Sequence, residues 1–230
     1  MKRFLFLLAL VVCSSTFSQT IDLTEYDKFL KDHVSNKGVV NYDKVLKNME
    51  QLNKITSNFS KISPNASWTP SELKSYWINF YNANVIKLLA ENYPIKSINY
   101  IRDAFKIDIV KYDGIEISLD MIEHEVIRKL NDPRVHFALY STAISSPKLK
   151  RTAYQPETIE YDLGVATSNF INDKTKNIIT TRYAKLSKIF EWYKDDFNLI
   201  NFINRHSSGD KLIKSTKITY MEYNWNLHRK

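Results

Sequence analysis

The chain has 230 residues, of which 43% are hydrophobic and 25% charged, so it can bury a core and does not read as disordered. Its four glycines (Gly38, Gly114, Gly164, Gly209) stand far apart, which excludes the clustered glycines of a dinucleotide fingerprint or a P-loop. A single cysteine excludes a disulfide framework, a cysteine-based zinc site and an iron–sulfur cluster.

Met1-Lys2-Arg3, the apolar run Phe4 to Val12 and a small-residue exit through Ser18 form the three parts of a secretory signal. The run is about half the roughly 20 residues a membrane span needs. Thr16 and Ser18 occupy the −3 and −1 positions of a cut before Gln19, giving a signal peptide at 1–18 and an exported chain, periplasmic or extracellular. The alternative is a lipoprotein signal with Cys13 lipidated, against which Val12 is bulky where such signals want a small residue. Cleavage after Ser18 leaves no cysteine. It also leaves 31 basic against 25 acidic residues, a net charge of +6. The basic residues are scattered, which speaks against nucleic acid and for a solvated surface with at most weak attraction to anionic envelope polymers.

Ile21 to Val34 reads as a helix, and Tyr42 to Ile62 as a second. Thr69-Pro70-Ser71-Glu72 is a strong helix start, with a capping Thr, a first-turn Pro and the Glu of a capping box; that helix runs to about Asn92. Lys106 to Val110 and Ile115 to Ile117 flank Asp113-Gly114 as a hairpin. Ser118 to Leu130 reads as helix, Val135 to Ser141 as strand, Pro156 to Ile171 as helix, Ala184 to Asn204 as helix in whole or part, and Ile218 to Trp225 as strand. With no repeat or linker, residues 19–230 form one α+β domain, mostly helical with a small sheet.

Three segments carry candidate chemistry. Asn79 and Asn82, three apart on one helix among Trp77, Phe80 and Tyr81, either tie the helix to a loop or orient a substrate. Glu123 sits beside the stripe of Leu119 and Val126, so its carboxylate needs a partner, with Arg134 available, or acts as an acid or base. His124 points away from that stripe, toward solvent. On an extended strand, Arg134, His136, Ala138 and Tyr140 share a face leading into Ser141. This places a nucleophile (Ser141), a base (His136) and an orienter (Glu123) within one hypothesis. Trp77, Arg134, Tyr140, Asn79 and Asn82 are the candidate binding residues. No histidine pair at helical ligand spacing suggests a metal, and no cofactor is implied.

Several segments in order resemble the domain-of-unknown-function family 547. They are Gly38-Val-Val-Asn-Tyr42, Trp77-Ile-Asn79-Phe-Tyr81-Asn82-Ala83 and Tyr93-Pro94-Ile-Lys-Ser97-Ile98, then Gly114 to Leu119, Ile122-Glu123-His124 with Arg128, and Asp132 to Leu139. Pro147, Leu149, Tyr154, Trp192-Tyr193, Asp196-Phe197 and Tyr223-Asn-Trp225-Asn-Leu227 complete the set. The resemblance implies a shared fold and pocket without an agreed reaction. It also implies a Cys-x-x-x-x-Cys-Pro segment after His136, and here those positions hold Ser141 and Ser146. A hydroxyl ionises far less readily than a thiol, so loss of the first cysteine favours a ligand- or partner-binding domain, for a small molecule or an envelope component. A serine/histidine hydrolase or acyl-transferase is the alternative.

N-terminal sequencing of the mature protein is expected to read from Gln19, and a charged residue at Leu8 to block export, because the targeting signal is hydrophobic. A mature product retaining residues 1–18 would overturn the export reading.

Overall fold

The computed structural model describes residues 21–228, so the expected signal peptide at 1–18, Cys13 and the expected cut before Gln19 lie outside the described residues. The architecture is α+β. Helices α1 (Thr24–His33), α2 (Tyr42–Leu46) and α3 (Met49–Ser60) surround α4 (Pro70–Glu91). Thr69 caps α4 as its sequence predicts: the Glu72 N–H donates to the Thr69 hydroxyl at 3.2 Å and the Thr69 N–H to the Glu72 carboxylate at 2.7 Å. From Lys74 to Ala90 only Lys87 escapes full burial, so α4 is the axis of the molecule rather than a surface helix.

The hairpin β1 (Val110–Tyr112) and β2 (Ile115–Ile117) closes through Asp113 and Gly114, whose φ angles of 46° and 80° are those of the two-residue turn that matches strand twist. Gly38 is required for another reason. Besides a φ of 76°, a Cβ there would stand 2.9 Å from the Leu149 carbonyl oxygen. A second, three-stranded sheet pairs β3 (Ile178–Ile179) antiparallel with β4 (Tyr183–Leu186), and β4 parallel with β5 (Lys217–Tyr220). The remaining helices are α5 (Leu119–Met121), α6 (Ile159–Asn172), α7 (Ile189–Trp192) and α8 (Leu199–His206). Among the described residues no helix is long and apolar enough to cross a membrane.

The structure departs from the sequence expectations at identifiable places. The helix expected over 42–62 breaks where the Asn48 side chain donates to the Lys44 carbonyl at 2.9 Å, a local bond that competes with helix continuation. The strand expected from Lys106 starts only at Val110, because the N–H groups of Lys106 and Ile107 turn back to the Asp103 carbonyl. Residues 135–141 are not a strand. Pro133–Phe137 is a 3-10 turn, started by the Asp132 carboxylate accepting from the Arg134 N–H, with Pro133 in the first helical position. Arg134 and His136 therefore do not share a face. Within the helix expected over 184–204, Ala184 and Leu186 are buried while Tyr183 and Lys185 are exposed, a period of two that makes β4; α7 and α8 follow. The last strand stops at Tyr220 rather than Trp225.

Two apolar cores result. The larger gathers α1 to α4, the hairpin and Val135, Ala138, Leu139 and Tyr140; the smaller gathers Phe137, Phe170, Leu186, Phe190 and Ile203. The segment 133–141 crosses between them, sending Phe137 into one core and its neighbours into the other.

Beside this segment Lys74 bonds Asp132 at 2.9 Å and also Glu160, while Arg134 bonds Asp132 at 2.6 Å and also Glu160. Burial pushes the Asp132 carboxyl up, but Arg134 and Lys74 together outweigh it and hold it at about 2. A carboxyl whose folded-state pKa lies below its unfolded value stabilises the fold above about pH 4 and releases that stability as pH falls toward 2. Urea titrations at pH 6 and pH 2.5 are expected to show acid destabilisation that Asp132→Asn reduces by about 2 kcal/mol. An unchanged acid slope in the variant would remove Asp132 as its source.

Candidate functional site

A cavity of about 600 Å³ lies where the two cores meet, walled by Tyr81, Leu139 and Tyr140 from one side and by Ile189, Tyr193 and Tyr223 from the other. Three of its polar groups, Asp120, Glu123 and His124, come from the helix that begins at α5. After that single α-turn the chain widens into a π-helix over Ile122–Ile127 and tightens over Arg128–Leu130; the Arg128 N–H reaches back five residues to the Glu123 carbonyl. Such widened turns recur at functional sites. Here the turn presents Asp120, Glu123 and His124 to the cavity.

Glu123 is half-buried and accepts from the hydroxyls of Tyr193 at 2.5 Å and Tyr81 at 3.4 Å. Burial, reinforced by the Glu123 charge, pushes both phenols well above their ordinary pKa, so they stay protonated as donors. His136 stacks on the Tyr193 ring with centroids 4.0 Å apart, and its Nε2 lies 2.8 Å from the Asp196 carboxylate. Arg128 grips the same carboxylate with two N–H donors at 2.7 Å and holds it, with the His136 contact helping against burial, at about 2. An ionised carboxylate can only accept, so the His136 proton sits on Nε2. Burial lowers the His136 pKa despite the nearby acids, which leaves the imidazole neutral at pH 7 with Nδ1 unprotonated. The third Arg128 contact is to His124 Nδ1 at 2.9 Å; a guanidinium cannot accept, so that nitrogen too carries no proton. Asp120, His124, Arg128, Asp196 and His136 thus form one continuous polar chain.

Of the sequence candidates, Glu123, His136, Ser141 and Tyr140 line this cavity, while Asn79, Asn82, Trp77 and Arg134 do not. The Ser141 hydroxyl lies 3.1 Å from the Tyr223 hydroxyl; His136 is bonded to Asp196 and Glu123 to the tyrosines, so the three candidate catalytic groups bond to others rather than to each other. Ser146 is buried and donates to the carbonyls of Ala143 and Pro147 within its own turn. Asn79 exchanges two hydrogen bonds with the Tyr154 backbone, at 2.8 and 3.0 Å. Asn82 donates to the Ala138 carbonyl at 2.9 Å and accepts from the Tyr140 N–H at 2.8 Å. Both asparagines tie α4 to a neighbouring segment. Trp77 packs among Tyr76, Phe80 and Tyr112, and Arg134 belongs to the Asp132–Glu160 cluster rather than to Glu123.

Cavity residues that pattern reading left without a role are Tyr81, His124, Trp192, Tyr193, Tyr223 and Trp225, with Arg128 and Asp196 behind them. Their signal was present in the family resemblance, as the Trp192-Tyr193, Asp196-Phe197 and Tyr223/Trp225 groups. Among the described residues no group of three His, Cys, Asp or Glu side chains is placed to hold a metal ion.

Residues 65–171, which contain α4, the hairpin, the π-helix and the 133–141 segment, match the family described as a protein of unknown function, DUF547. No curated protein and no solved structure matches the chain.

Asp196 raises the proton affinity of His136 through both its hydrogen bond and its charge. Asp196→Asn is therefore expected to lower the His136 pKa further below 6.5, read by imidazole nitrogen shifts in an NMR pH titration. An upward shift would contradict the dyad.

Proposed function

We propose that the chain is an exported ligand-binding domain whose cavity between the two cores takes a small molecule without turning it over. The observation that carries this reading is the cavity itself. About 600 Å³ is the size of small-molecule sites, and an apolar and aromatic wall with a few convergent polar groups is their usual composition. Glu123, the neutral His136 and the Ser141–Tyr223 pair supply acceptors and donors at fixed positions, each held by a second residue. Export rests on the N-terminal signal pattern.

The absence of turnover is supported by the surroundings of Ser141. Its hydroxyl bonds Tyr223, whose own pKa burial pushes up, and a phenol of that kind does not withdraw a proton from serine. The family resemblance puts a thiol where this hydroxyl stands, and a thiol gives up its proton far more readily than a serine hydroxyl.

Trp192 and Trp225 on the cavity wall make tryptophan fluorescence a direct reporter. In a fragment screen, ligands that change the emission of the wild-type protein are expected to lose that effect in Trp192→Ala and to keep their affinity within about tenfold in Ser141→Ala, since one neutral hydrogen bond contributes about 1 kcal/mol. A serine-directed phosphonate should not label the protein. Activated-ester hydrolysis abolished equally by Ser141→Ala and His136→Ala would overturn the reading in favour of a hydrolase.

A further inference from the structure

The charges on the cavity wall do not balance locally. Arg128 and Asp196 neutralise one another through two hydrogen bonds, and of the remaining wall charges the exposed Lys106 offsets only one of the two carboxylates, Asp120 and Glu123. Glu123 is left. Among the described residues it forms no salt bridge, and its hydrogen bonds come from two neutral phenols. Arg128 is near enough to feel the Glu123 charge, yet the three hydrogen bonds its guanidinium makes go to Asp196 and His124 and none to Glu123.

The same cavity carries a cluster of electron-rich rings. Trp192, Tyr223 and Trp225 pack with centroids 4.6 to 5.8 Å apart, and Trp192 is 46% exposed. Tyr223 is close enough to Glu123 for that carboxylate's charge to raise its pKa. A carboxylate without a cationic partner and a group of aromatic faces on one wall attract the same thing: positive charge on an apolar body. An anion would meet Glu123 and Asp120 first. A neutral sugar would use the flat rings but gain nothing from the unbalanced carboxylate. Building on the binding reading above, we propose that the cavity selects an organic cation, an ammonium or quaternary ammonium group held between Glu123 and the Trp192–Tyr223–Trp225 cluster.

The test compares choline with its neutral isostere 3,3-dimethylbutan-1-ol and with butyrate, titrated into the protein with tryptophan emission and ligand NMR line width as readouts. Choline is expected to bind about tenfold more tightly than the isostere, with butyrate weaker still. Raising the salt from 50 to 500 mM should shrink the choline preference and leave isostere binding unchanged, a signature that needs no variant. Glu123→Gln should bring choline and isostere within about twofold, and Trp192→Ala should weaken choline more than the isostere. Equal binding of choline and isostere, both lost in Trp192→Ala, would overturn the cation inference while leaving the ligand-binding reading in place. A preference for butyrate would do the same. Failure of all three probes would overturn the cation inference, and failure of the whole fragment screen as well would take the binding reading with it.

Discussion

The Asn82 side chain holds this molecule to one arrangement. It projects from a helix buried on nearly every side, and its amide binds the backbone on both sides of Leu139. Those two peptide groups lie in a segment that has left regular structure and is buried, where unpaired N–H and C=O groups would each cost about 1 to 3 kcal/mol. With the segment fixed, Phe137 enters the smaller core, Tyr140 enters the larger, and His136 faces the opening between them. Asn79 does the same for Tyr154 one helical turn away. The two amides are the means by which a helix with almost no exposed surface sets the position of irregular chain on its flank.

What could be read in advance follows the range of the interaction. The capping box at Thr69 and the Asp113-Gly114 turn are local, and each is present with the geometry its residues dictate. The segment after Asp132 departs from its pattern because apolar alternation at Val135, Phe137 and Leu139 imitates a strand. The stronger local signal was Asp-Pro, a cap followed by a first-turn proline. Glu123 was found by its place beside an apolar stripe, but its phenol partners Tyr81 and Tyr193 lie 42 and 70 residues away, beyond any periodicity argument. α-Helical spacing sends His124 to solvent, whereas it lines the cavity. The π-turn rotates the face it presents, and that widening has no single-residue signature in the sequence.

The exchange of cysteine for serine, implied by the family resemblance, gains a physical context from the cavity. At Ser141 the group is half-buried and faces a phenol, while at Ser146 it is buried and turned onto its own backbone. A hydroxyl suits both places, since each offers a short polar contact that a larger sulfur makes poorly. The rest of the polar wall, from Asp120 through His136, is intact around it.

Residues 223–227 supply the aromatic wall and pair back across the molecule, with the Ser97 hydroxyl on the Trp225 carbonyl, Ser97 bridged to Asn226 and Ala143 to Leu227. These contacts span 128 residues in the first case, whereas α1 to α4 pack among near neighbours in the chain. Loop closure over such a span is slow compared with local helix docking. During synthesis the bundle around α4 can assemble while the cavity still lacks one side. The pocket is thus complete only once residues 223–227 have paired back, and a chain interrupted before Tyr223 would lack the Tyr223–Trp225 part of its wall.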